Sequence, residues 1–461
     1  MRQQNRREFL KAGTAGVALS ALGFTGAEGW SQTRGDRPHQ TKDVRVLHPQ
    51  ARTPVSLLID DSTCLVNLAH FAMPQFGQVR PQEAGYQKPW QQTPREIPDA
   101  FVRKFGLWCR EQGIKGKYSV IPYPACVGWL DRVLPDWTHR QLADSLGLVR
   151  ELMTPDWDIT PEMISHTRVI DVKTGRPFAE PSERFMENWH WSDNRSVDEL
   201  AEYTGYALQI LKNVDLPCQG VTSPGTFGSG SRAAFAPAVL QACRHVFQTE
   251  IPYYFLDVFE RGGQSVAPLV QCAADLEGAS PRCVVSIIAC TADWFGGWDG
   301  MTRGSPDFLI TKDLHRGRLV EVIGRGDPAV LCCHWPGLYF GGAETGLKIF
   351  QEVVARLHAR YENLIWMKVS EIARYWAARQ LTGIDRSGDV VRLAAPFAAA
   401  NFTLSVPAHD GAVPRLLLGD RPQPLREVSR LLDLRAGTFL RQRGGLVVCF
   451  DLPKGKSQLY V

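Results

Sequence analysis

Two adjacent carboxylates, Asp60-Asp61, close the apolar run Val55–Ile59. Neighbouring anions repel each other unless positive charge compensates them. Side chains of successive extended residues diverge, so one carboxylate can hold a divalent cation while the other faces a substrate. The carboxylate left free of metal then keeps the basicity of a general base. His166, at the end of another apolar run, offers a nitrogen ligand. Mixed imidazole and carboxylate ligation suits a borderline-soft ion such as zinc. Further polar groups follow other β-rich runs: Ser223-Pro224-Gly225, Asp293-Trp294 and His334-Trp335.

These residues need a scaffold that brings strand ends together. From Val55 onward, short apolar runs alternate with stretches of helical period. Strands are expected at 55–59, 117–121, 159–165, 218–222, 283–289, 329–333 and 364–369. Helices are expected at 98–112, 138–153, 197–213, 232–247, 308–323, 344–358 and 369–380. Repeated strand–helix units imply an α/β fold, an irregular (β/α)7–8 barrel spanning residues 45–382. In such a barrel, reactive groups gather at the C-terminal ends of the strands, where the polar residues named above fall. Past Gly383 the helices stop, and short strand-like runs separated by turns suggest a small all-β, sandwich-like domain over residues 383–461.

The set resembles a known family. Leu57-Leu58-Ile59-Asp60-Asp61 is similar to the Asp-Asp motif opening the polysaccharide deacetylase (NodB-like) barrel. His166-Thr167 resembles the start of its His-Ser/Thr-x-x-His motif. Ser223-Pro224-Gly225, Asp293-Trp294 and Cys333-His334 resemble its later segments, in the same order along the chain. The resemblance implies Asp60 as base, Asp61 and His166 as ligands of a divalent metal, and His334 as acid, with Asp293 in the catalytic group. Ser223, Trp294, Trp335 and Tyr339 would line the substrate cleft. Ile170 stands where the second metal-binding His is expected, and no Arg stands near Ser223. His190 is therefore taken as the third ligand, with His70 as the substitute. The activity implied is hydrolysis of carbohydrate N- or O-acyl groups. The alternatives are a glycosidase using paired carboxylates, such as Asp60 or Asp61 with Asp293, and a non-catalytic carbohydrate-binding protein.

Composition sets the outer bounds. Lys and Arg number 52 against 48 Asp and Glu, and no long basic run with interleaved aromatics occurs, so nothing suggests nucleic acid. Thirteen Trp and 11 Tyr fit either a rich core or sugar-stacking surfaces. Eleven Cys without a C-x-x-C pair read as small buried hydrophobes. Residues 1–32, with Arg6-Arg7 and a weakly apolar stretch, match a twin-arginine export signal. The expected partners are thus a glycan and the export machinery, with no stable membrane insertion and a periplasmic or secreted destination.

Overall fold

The computed structural model describes residues 34–461; the expected export signal at 1–32 lies outside them. Strand β1 (Thr53–Asp60) is buried along its whole length, as a strand covered on both faces by helices must be. It pairs in parallel with β2 (Gly116–Ser119), which pairs with β3 (Trp157–Thr160). A second sheet holds β4 (Gly220–Thr222), β5 (Tyr253–Val258), β6 (Leu269–Ala274) and β7 (Arg282–Ala289) in the order β4-β5-β7-β6. Only β6 runs antiparallel there. Strand β8 (Ala329–His334) pairs with β1 throughout, setting His334 directly beside Asp60, and β9 (Leu364–Trp366) pairs with the start of β1.

The barrel expected from sequence is thus two parallel sheets rather than one continuous ring. At one seam a single bridge joins Ile159 to Cys218, reinforced by the hydroxyls of Thr160 and Thr222 at 2.9 Å. At the other, Cys290 N–H donates to the Val330 carbonyl at 2.7 Å, and Cys332 N–H to the Thr291 hydroxyl at 3.0 Å. Apart from β6, the strands still point one way, so their C-terminal ends gather at one mouth.

Helices α1 (Leu68–Val79), α2 (Asp99–Glu111), α3 (His139–Leu148), α4 (Val197–Asn213), α5 (Arg232–Phe247), α6 (Thr345–Arg360) and α7 (Val369–Leu381) supply the long crossovers. Thr138 and Ser196 cap α3 and α4 with reciprocal capping boxes. The single helix expected over 308–323 is two short ones, Pro306–Leu309 and Arg318–Gly324. Gly317 breaks it: φ is +108°, and a β-carbon there would meet the Leu309 carbonyl at 2.6 Å. All eleven cysteines are free.

The C-terminal segment forms two five-stranded sheets, one of which recruits Arg45–Val46 as an edge strand. Tyr375 and Trp376 of α7 are buried together with Phe402 and Phe450, so the segment caps that flank of the barrel. No helix among the described residues is long and apolar enough to cross a membrane.

Candidate active site

Strand β1 ends by delivering two carboxylates in different directions. Asp60 is fully buried, and its Oδ1 accepts from Lys117 Nζ at 2.5 Å. Lys117, itself fully buried, also donates to the Ile59 carbonyl and the Ser119 hydroxyl. Asp61 turns into the mouth because its backbone takes a left-handed conformation, φ 58°, one that Asp tolerates better than most residues. The divergence expected of the pair is realised, with the positive compensation supplied by Lys117 for one member only.

The partners of Asp61 come from the loop after β3. Pro161 has no N–H to continue the ladder, so the chain leaves the sheet before Glu162 and His166. Ligand atoms of Asp61, Glu162 and His166, all buried, lie within 4.8 Å of one another. His166 Nε2 stands 2.8 Å from Asp61 Oδ1 and 3.5 Å from Glu162 Oε1, while Glu162 Oε2 accepts the Asp61 N–H at 2.9 Å. Despite that proximity, Asp61 Oδ1 is a buried acceptor without a hydrogen-bond partner. A buried oxygen short of a donor, facing an imidazole nitrogen and a second carboxylate, fits a cation.

A clamp beneath the loop holds this geometry. Glu187 accepts the backbone N–H groups of Ile164, Ser165 and His166 and the Tyr203 hydroxyl. Asn188 Nδ2 donates to the His166 carbonyl at 2.8 Å. His166 sits at φ 67°, a conformation maintained only where surroundings over-determine it. Burial lifts the Glu187 carboxyl to about 7. Burial works against charge on His166, but Asp61 and Glu162 outweigh it and raise the imidazole to about 10.

A second imidazole faces Asp61 from β8. His334 Nε2 lies 3.9 Å from Asp61 Oδ2, and its Nδ1 lies 3.1 Å from Asp293 Oδ2. Burial again opposes protonation, and Asp293 and Asp61 overcome it, raising His334 to about 9. The Trp298 N–H donates to Asp293 Oδ2 at 2.6 Å and fixes that carboxylate in turn.

The structure therefore brings Asp61, His166, His334 and Asp293 together. It corrects the rest of the expected set. Asp60 is committed to Lys117 inside the barrel and has no surface toward the mouth. His190 has a side chain 58% exposed and pairs with Glu183 and Asp193, so Glu162 takes the third position in the cluster. His70 bonds the Thr93 carbonyl and packs edge-on against Trp90. Ser223 is fully buried and donates to the Phe227 carbonyl within its turn. Trp335 lies in the core against Phe101, Phe105 and Tyr118, and Tyr339 leans on Phe101. Trp294, partly exposed like Tyr339, lies beside Asp293 and edge-on to Phe308. Phe76 lies 6.3 Å from the His166 ring and is backed by Trp189 and Trp298.

Solved structures similar to this chain include polysaccharide deacetylases. One from Mycobacterium smegmatis, provisionally described as such, shares 13% identity at a TM-score of 0.40, over 77% of this chain and 99% of its own. The Puue allantoinase shares 12% at 0.38, over 71% and 91%. A CE4 family pseudoenzyme from Bacillus anthracis shares 11% at 0.30, over 71% and 68%. No protein-family model matches the chain, and no curated protein matches it in sequence. At this degree of likeness the chemistry rests on the site's own geometry.

Proposed function

We propose that the chain is an exported, metal-dependent hydrolase of carbohydrate N- or O-acyl groups. The observation that carries this is the convergence of Asp61, Glu162 and His166, with the His334–Asp293 pair facing the same carboxylate. These three ligand residues would hold one divalent cation, and zinc suits their mixed donor set. When bound, such an ion polarises a scissile carbonyl and acidifies a water molecule.

The chain's own residues do the rest. Asp293 at Nδ1 orients the His334 ring and stabilises its charged form, leaving Nε2 to exchange a proton with substrate. The acidified water gives its proton to solvent, and His334, charged at neutral pH, delivers its Nε2 proton to the departing amine or alcohol. Asp60 is paired with Lys117 inside the barrel, which leaves it unavailable as half of a glycosidase pair. Glu187 and Asn188 hold the ligand loop so that His166 is in place before substrate arrives, which removes an ordering cost from the reaction.

Acetate release from a panel of N- and O-acetylated oligosaccharides, with zinc, manganese or cobalt supplied, tests the reading. Activity should require metal and should vanish in Asp61→Asn. Turnover by metal-free protein would overturn it.

A further inference from the structure

A cavity of about 740 Å³ opens at the other end of the barrel, away from Asp61 and His334. The residues around it place it there. Gly326 precedes β8, Val46 precedes β1, and Arg379 and Gln380 end α7, which follows β9 from beside the start of β1. The segment 37–48 forms one wall. It is tied down by Gln40 Nε2, which donates to the Arg379 carbonyl at 2.9 Å, and by His48 Nε2, 2.8 Å from the Gly326 carbonyl.

Charge distinguishes this cavity. Arg37, Lys42, Arg45 and Arg379 line it, and the lining has no carboxylate. Acids close by are engaged elsewhere: Asp43 pairs with Arg386, and Asp327 with Arg325 and the Ser265 hydroxyl. The whole chain carries a formal excess of only +4, so four cations around one cavity are a concentration, not a reflection of a basic protein. The Arg379 guanidinium lies 5.5 Å from the Trp376 ring, a stacking contact that orders the group while leaving its edge donors free. Arg37 already donates through Nη2 to the Val270 carbonyl and through Nη1 to the Arg34 and Asp36 carbonyls, so it contributes charge rather than an open fork. One ordered guanidinium, Arg379, with the exposed cations Lys42 and Arg45 at the rim suits recognition of an oxyanion.

We propose that this cavity is a second binding site, for a ligand carrying an oxyanion: a phosphate, sulfate or carboxylate group, either free or borne by a saccharide. It is independent of the hydrolytic site and of the reading given to it.

The test is calorimetric titration of the full chain with inorganic phosphate, a sulfated disaccharide and a galacturonate trimer, with uncharged maltotriose as control. At least one anionic probe should bind, lose affinity as salt rises, and weaken about tenfold in Lys42→Gln/Arg45→Gln, whose changes lie at the exposed rim. Tighter binding of a charged saccharide than of phosphate assigns the source as glycan; the reverse assigns it as free phosphate. Arg379→Gln serves as a second variant, judged only if its Tm matches the parent. Absence of binding by all three probes at about 10 mM, or affinity unchanged in the rim double variant, would overturn the proposal.

Discussion

His166 Nε2 and Asp61 Oδ1 stand 2.8 Å apart, yet the oxygen receives no hydrogen bond. Drawn from different strand ends into a buried space, the two groups form an ion pair whose atoms, with Glu162, are also placed to ligate a cation. The price of holding them there is two non-glycine residues with positive φ, offset by the bonds that Glu187 and Asn188 make to the loop.

Metal affinity should therefore depend on pH in a defined direction. Without metal, His166 holds its proton up to about pH 10, and an imidazole must lose that proton to ligate. Below that pH each binding event releases a proton, so log Kd should fall by about one per pH unit as pH rises. Calorimetry in buffers of different ionisation enthalpy measures the release directly. Glu162→Gln and His166→Ala should lose the metal, whereas His190→Ala should keep it. Equal metal content in Glu162→Gln would remove Glu162 from the ligand set.

The His334–Asp293 pair predicts the alkaline side of the rate profile. Asp293 is the foremost of the three carboxylates, with Asp61 and Asp60, that raise His334, so Asp293→Asn should move the alkaline limb of kcat to lower pH. His334→Ala should cost about 10²–10⁴-fold in kcat, the usual share of a proton-transfer group, with metal content unchanged. An alkaline limb that stays in place in Asp293→Asn would separate Asp293 from this role.

The amphipathic helices were readable because their apolar period and caps are local: Val197–Asn213 follows from Ser196, Glu199 and a regular buried stripe. The strand ends were readable in so far as apolar runs stop abruptly, which placed Asp61, His166, Asp293 and His334 at one mouth. Tyr253–Val258 carries no alternation and was not separable from its surroundings. Glu162 lies inside the expected strand 159–165, and only Pro161, which lacks an N–H for the ladder, signals that the strand ends at Thr160. Lys117 reads as a polar residue in a strand, and only the register of β2 against β1 sets it under Asp60. Whether Trp335 faces a cleft or the core is a tertiary fact, decided by Phe101 and Phe105 of α2.

The Lys117–Asp60 pair yields a stability prediction. Both side chains are fully inaccessible, so Lys117→Met strands a carboxylate in the barrel and should destabilise by about 3–5 kcal/mol. Adding Asp60→Asn removes the stranded charge and should recover much of that loss. Denaturant unfolding of the two singles and the double completes the cycle. An additive double variant would mean that the pair is not coupled.

Asp158 gives the fold a pH dependence distinct from that of the site. It is buried in β3, accepting from the Ser370 N–H and hydroxyl at 2.6 and 2.7 Å. Burial dominates those bonds and raises its carboxyl from 3.8 to about 6. The folded chain therefore binds this proton more tightly than the unfolded chain does. The sign follows: the stability contributed is fully present below pH 3.8 and is lost as pH rises through about 6. A shift of about two units corresponds to ~3 kcal/mol. Asn mimics the protonated acid, so Asp158→Asn should lose this dependence, and the stability difference between variant and parent should move in the variant's favour between pH 4 and pH 7. Parallel unfolding curves at both pH values, with a constant difference between the two proteins, would show that Asp158 keeps its ordinary acidity in the fold.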